Sequence, residues 1–344
     1  MPTVKVKSST GKTEYRYTIS TPKSASTKSI DKNLPTVLFL HAVYIPQEVF
    51  VQQFGDPKLR RFNLVTLDHR GHGETSGDKP PEGYGQVEAA EDIAKFMEAL
   101  KLPPCHIVGL SLGTIIGLQL AVSYPEKVQS LFLMSPLGLE EPEDIADGRQ
   151  EIYEVWCEGF NGSTPDEAVL LDAAYGAVQL AFSNRSTTLI NALVGRMFGF
   201  AKKNWGPKDF DLYRRMTVDI FTNRKPQTME ALSSLRQAQI PVGLVHALGD
   251  VAYPLEYTKE LMKHLTDAGV QVSLAEIPDA PHFVNVDPSN GFVCRVNSFM
   301  HDFFIKHSKQ QAAPIPKDVT NPFEQTLRKN GWDPEEDAED GTMI

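Results

Sequence analysis

The run HIVGLSLGTIIGLQLA, residues 106–121, decides the reading of this chain. Ile107 and Val108 begin it as a buried strand. G-x-S-x-G follows as Gly109 to Gly113, with Ser111 at its centre. Leu112, Ile115, Ile116, Leu118 and Leu120 then continue as an apolar helix pattern. A strand that turns sharply into a helix lifts the central side chain clear of the backbone. Serine is a weak nucleophile at neutral pH, so it needs that exposure and a partner base. The two glycines give room where strand and helix close on one another. The backbone N–H of Leu112, at the helix start, is placed to face a developing oxyanion.

A base and an orienting acid must then lie further along the chain, in the order serine, acid, histidine. The run PVGLVHALGD, residues 241–250, is a proline-bounded apolar strand whose carboxyl end delivers Asp250. Open parallel sheets place their chemistry at that end. The run VQVSLAEIPDAPHFVNVDP begins with strand formers, stops at Pro278 and presents His282 on a loop just beyond. Of the other eight histidines, His106 precedes its strand at the wrong end and His246 lies inside one. His264, His301 and His307 fall on predicted helices, and His41, His69 and His72 lie near other strand ends. The expected triad is therefore Ser111, Asp250 and His282. Asp279, three residues before the histidine, and Glu276 are weaker acid candidates.

Together these pieces resemble the α/β-hydrolase fold family over roughly residues 10–306. In that family a strand ends in His-Gly, and the next residue gives the second oxyanion N–H. The corresponding run here is TVLFLHAVYIP, with His41-Ala42-Val43, so the resemblance implies Val43 as second donor beside Leu112, with the Ala42 N–H as the alternative. Ala42 departs from the family's glycine, and it fits only where φ stays negative. The run NLVTLDHRGHGETSG, residues 63–77, matches the family's Asp-x-Arg-Gly-x-Gly-x-Ser segment through Asp68, Arg70, Gly71, His72 and Gly73. We assign that loop to scaffolding. Ser111 at the elbow, where dehalogenases and epoxide hydrolases carry aspartate, points to an acyl-enzyme route. That chemistry calls for neither metal nor cofactor.

The chain has 344 residues, 41% of them hydrophobic, which is enough for a sizeable core. Three cysteines make no disulfide framework. No apolar run reaches the length of a membrane span and the first residues lack an apolar signal segment, so a cytoplasmic protein is expected. A formal net charge of −10 argues against nucleic acid as a partner. Much of the excess acid lies between Asp333 and Asp340, read as a solvated end.

Two amino-terminal strands, VKVKS and EYRYTIS, precede strands expected at 36–41, 63–67, 106–110, 128–134, 242–248 and 270–277. Helices are expected near Phe50 and at 86–100, 255–268 and 291–307. The alternation predicts a doubly wound, mostly parallel, eight-stranded α/β sheet. Its core occupies 1–138 and 240–307. The strand-free stretch 139–239 is read as a helical cap over Ser111, because a loop of that length needs structure of its own. Residues 308–344 are read as a mostly irregular acidic tail. Phe182, Met197, Phe198 and Trp205 are the expected pocket wall, with Phe200 and Tyr213 beside them. So apolar a cap predicts poor use of highly charged substrates.

The leading expectation is a carboxylic-ester hydrolase acting on a small or medium apolar ester, or on a lactone by the same chemistry. A thioesterase, a carbon–carbon bond hydrolase and a non-catalytic ligand receptor on the same scaffold remain open. The expected partner is a small molecule, without nucleic acid or membrane. A homodimer through a surface helix or the cap stays open, although no motif encodes it.

Overall fold

The computed structural model describes residues 2–340. Strands β1 (Thr3–Ser8) and β2 (Gly11–Ser20) form an antiparallel hairpin. Then come β3 (Thr36–Leu40), the single helical turn α1 (Val51–Phe54), β4 (Asn63–Leu67), the two-residue β5 (Ser76–Gly77) and helix α2 (Gln86–Ala99). The elbow unit follows as β6 (Cys105–Leu110) and α3 (Leu112–Ser123), and β7 (Val128–Met134) closes the first half. The sheet order is β1-β2-β4-β3-β6-β7-β8-β9, with β5 pairing outside that path on β2. From β4 onward every pairing along the path is parallel. Eight strands in sequence agree with expectation, and β5 is an addition.

Alternation along the strands builds two cores. Leu38 and Leu40 of β3, with Ile107 of β6 and Leu131 and Leu133 of β7, face one side. Val37 and Phe39, with Val108, Leu110, Phe132 and Met134, face the other. Strands buried on both faces read as continuous apolar runs, because successive side chains point to opposite faces. β3, β4 and β6 are buried at every position.

Between β7 and β8 (Val242–Ala247) there is no strand. The insert holds α4 (Glu143–Glu158), α5 (Glu167–Phe182), α6 (Thr188–Asn204), α7 (Phe210–Arg214), α8 (Ile220–Thr222) and α9 (Met229–Gln237), with a π-turn at Arg215–Asp219 joining α7 to α8. Asp166 caps α5 and Thr187 caps α6 through their side-chain oxygens. Helix α9 lies against α3 and α10 (Leu255–Asp267), burying Leu232 and Leu235 against the sheet side of the molecule. It serves as the crossover into β8 rather than as part of the cover.

After β9 (Val272–Ile277) and α11 (Phe292–His307), the tail is mostly irregular, as expected, with two short helices. It carries α12 (Glu324–Arg328) and α13 (Pro334–Asp340). Phe323 and Leu327 are fully buried, with the Phe323 ring 5.2 Å from that of Phe54. Buried Arg60 donates to the carbonyls of Thr320, Phe54, Thr21 and Ser24, tying the tail to the amino-terminal region. Asp337, read as solvated, is buried and accepts from the N–H groups of Thr188 and Leu189 at the start of α6. Among the described residues no helix is long and apolar enough to cross a membrane.

Candidate active site

Ser111 sits between β6 and α3 with φ 51° and ψ −112°, a conformation that L-residues rarely adopt. The glycines explain how the turn closes. A Cβ on Gly109 would lie 2.4 Å from the Gly113 carbonyl oxygen, and one on Gly113 would lie 2.0 Å from that of Leu40. Any side chain at either position would force strand and helix apart.

The structure brings the three expected residues together. Asp250 follows β8 and His282 follows β9, at the carboxyl ends of neighbouring strands. His282 Nδ1 lies 2.5 Å from Asp250 Oδ2, and His282 Nε2 lies 2.9 Å from Ser111 Oγ. A carboxylate can only accept, so the proton sits on Nδ1 and the lone pair of Nε2 faces the serine. Asp250 Oδ1 accepts from the N–H groups of Ala252 and Tyr253 at 2.9 and 3.0 Å. Burial pushes the Asp250 carboxyl up, but the His282 ring and these two N–H groups outweigh it and hold its pKa below the ordinary value. Ser135 Oγ donates to the His282 carbonyl and fixes the loop. Asp279, the rival acid, is exposed, and its backbone carbonyl accepts from Arg185.

The turn after β3 completes one side of the site. Ile45 N–H donates to the Val43 carbonyl at 2.9 Å, and the intervening Tyr44 has φ 70°. This is a tight three-residue turn with a left-handed centre, a strained form. Ala42 has no positive φ. The strain therefore falls two residues beyond the family's glycine, which is why alanine is tolerated. The N–H groups of Val43 and Leu112 have no acceptor among the described residues.

The scaffold loop expected from residues 63–77 is built as a set of backbone clamps. Asp68 accepts from Gln47 N–H at 3.0 Å and Glu74 N–H at 2.9 Å. His41 donates from Nδ1 to the Ala42 carbonyl and accepts from His69 N–H at Nε2, so its ring is neutral. Burial lowers the pKa of His69 to about 3 and that of His72 to about 4. These rings support the turn after β3 and the insert; His72 packs edge-on against Trp205 at 5.5 Å.

A narrow cavity of about 20 Å³ meets Ser111, His282 and Val43. Its remaining wall comes from Tyr44, Arg149, Tyr253, Phe283 and the α5 residues Ala177, Leu180 and Ala181. The insert thus supplies part of the wall beside the serine, and Phe283 N–H donates to the Ala181 carbonyl. Three of the four expected wall residues lie one layer further out. Met197, Phe198 and Trp205 line a second cavity of about 20 Å³ that shares Tyr44 and Ala177 with the first. Phe182 lines neither; it packs against Phe283, with ring centroids 5.2 Å apart. Its place among the pocket residues is corrected to support of the histidine loop. A larger cavity of about 330 Å³ between β8, β9 and α11 is remote from the triad.

Arg149 and Tyr44 were missed from sequence. The signal for Arg149 lay in α4, whose buried face reads Ile145, Arg149, Ile152, Trp156. An arginine in that apolar stripe needs a reason. Tyr44 had no comparable signal, because its role follows from the turn conformation.

Residues 35–289 match the family model for the alpha/beta hydrolase fold, and the chain belongs to that family. A relative from Agrobacterium fabrum named for carbamate hydrolysis, RutD, is 33% identical over 132 residues, 36% of this chain and 48% of its own length. The chain thus spans about half the length of that relative, and less of the others it matches. The solved structure of a thermophilic esterase from Thermogutta terrifontis superposes with a TM-score of 0.61 at 16% identity, covering 90% of this chain and 100% of that one. The enol-lactonase from Burkholderia xenovorans gives 0.63 at 16%, covering 85% and 96%. At such identities these likenesses speak for the fold alone.

Proposed function

We propose that this protein is a carboxylic-ester hydrolase that works through an acyl-enzyme on Ser111. The observation that carries the reading is the continuous contact Ser111–His282–Asp250 on the wall of one cavity. In this mechanism Oγ attacks the carbonyl carbon as Nε2 takes its proton. The negative oxygen of the tetrahedral intermediate is held by the N–H groups of Leu112 and Val43. His282 returns the proton to the leaving alkoxide, and Asp250 stabilises the imidazolium without itself taking the proton. Water then repeats the sequence on the acyl-enzyme. Lactones fit the same steps, with the leaving group still tethered.

The test is a hydrolysis screen over p-nitrophenyl esters of increasing chain length, lactones and acyl-CoA thioesters, with Ser111→Ala alongside. Turnover of esters or lactones that Ser111→Ala loses supports the reading. Turnover confined to thioesters, or tight ligand binding without turnover, would replace it with one of the alternatives.

A further inference from the structure

The wall of the serine cavity carries a guanidinium that the proposed ester chemistry leaves without a role. Arg149 reaches it from α4 with its side chain 4% exposed. Its position is fixed on three sides. Nε donates to Glu141 Oε1 at 2.6 Å, Nη2 donates to the Tyr253 hydroxyl at 2.9 Å, and the guanidinium carbon lies 3.6 Å from the centroid of the Phe221 ring. Nη1 has no acceptor among the described residues. The Tyr44 hydroxyl, on the same cavity, is buried, and Arg149, Thr217 and Tyr213 are the hydrogen-bonding groups around it.

The charges nearby are uneven. Glu141 serves two guanidinium groups, Arg149 through Oε1 and Arg224 through Oε2 at 3.2 Å, and all three side chains are almost wholly buried. Asp250 is already satisfied by His282, Ala252 and Tyr253. Burial works against the charge on Arg149, but Tyr253, Glu141 and Tyr44 outweigh it and keep the group protonated. Two buried guanidinium groups that share one carboxylate cost free energy unless a ligand supplies a further acceptor. A carboxylate does so best, because it offers two oxygens and a compensating charge.

Resting on the ester-hydrolase reading, we infer that Arg149 and Tyr44 form a recognition site for a carboxylate on the substrate, so that the preferred ester or lactone is anionic. This reverses the expectation of poor use of charged substrates. That expectation came from the aromatic residues of the insert, which line the outer cavity instead.

Two matched substrate pairs test the inference. Mono-p-nitrophenyl adipate against p-nitrophenyl hexanoate places the carboxylate on the acyl side. 4-Acetoxybenzoate against phenyl acetate places it on the leaving group. In wild type, kcat/KM for the charged member should exceed that for the neutral one at least tenfold in one pair. Arg149→Met should lower that ratio at least tenfold, Tyr44→Phe should lower it several-fold, and Glu141→Gln should raise it by freeing Arg149. A ratio of one or below in both pairs for wild type overturns the inference. So does an Arg149→Met enzyme that slows both members of a pair equally, which is what a purely structural arginine would do. If Arg149→Met fails to fold, the wild-type ratio and the opposite shifts of Tyr44→Phe and Glu141→Gln decide. Serine-dependent turnover without charge discrimination counts against this inference alone, whereas no turnover of any ester counts against the ester-hydrolase reading beneath it.

Discussion

Ser111 is held at φ 51° by a turn that only two glycines allow, and that strain has a use. It points the hydroxyl away from its own helix and at His282. At this scale the account predicts unequal losses. Ser111→Ala and His282→Ala should each lower kcat on a good ester about 10⁶-fold, because nucleophile and base act as a unit. Asp250→Asn should cost about 10⁴-fold, since Asp250 orients and stabilises rather than making bonds. Steady-state kinetics on the purified variants measure this. An Asp250→Asn enzyme with wild-type kcat would reject the acid assignment. The oxyanion turn gives a second expectation. In a crystal of the phosphonate adduct of Ser111, the anionic oxygen should sit about 3 Å from both Leu112 N and Val43 N. Contact with Leu112 alone would leave the hole incomplete. Ser111, Asp250 and His282 were legible in sequence because each ends or follows an apolar strand in the required order. The positive φ at Tyr44 was not, because no residue type there announces it.

Among the elements, α6 shows how distant chain segments settle a local end. Its first N–H groups have no partners within the helix. Thr187 satisfies Ile190 N–H at 3.1 Å, and Asp337 accepts from Thr188 and Leu189 at 2.8 and 3.1 Å. A carboxylate there also meets the positive end of the helix dipole. Asp337→Ala should therefore cost about 1–2 kcal/mol of stability, seen as a thermal midpoint a few degrees lower. An unchanged midpoint would mean that the α13 contact contributes nothing. The sequence reading placed Asp337 in a solvated acidic run, because charge density is a local signal and this contact spans 149 residues. For the same reason α9 read as part of the insert. Its helical period was plain, but which layer it packs on depends on α3 and α10.

Over the whole molecule, buried histidines set the response to acid. Burial lowers His69 and His106 to about 3 and His72 to about 4, and it depresses His41 as well. The unfolded chain takes up protons near pH 6.5 while these folded sites stay neutral. Stability contributed this way is complete above about pH 6.5 and is lost as pH falls toward the folded values. At pH 5 each such histidine costs on the order of 2 kcal/mol. Asp68 acts in the opposite sense. Burial and neighbouring Glu48 raise it to about 7, so its folded form regains stability as pH falls from about 7 toward the ordinary carboxylate value. Four histidines outweigh one carboxylate, so the urea midpoint should fall clearly between pH 7 and pH 5. A midpoint that rose or stayed level would show that these rings are not held neutral. The doubly wound architecture itself was legible, since strands buried on both faces leave continuous apolar runs that alternate with helical patterns along the chain.

The central claim is that substrate is carried covalently on Ser111. Mass spectrometry of the enzyme, quenched in acid during turnover of p-nitrophenyl acetate and then digested, tests it most directly. The account predicts a single acetyl adduct on the peptide containing Ser111, absent when the Ser111→Ala protein is treated in the same way. Rapid turnover with no adduct, or with the acetyl group on another residue, would contradict it.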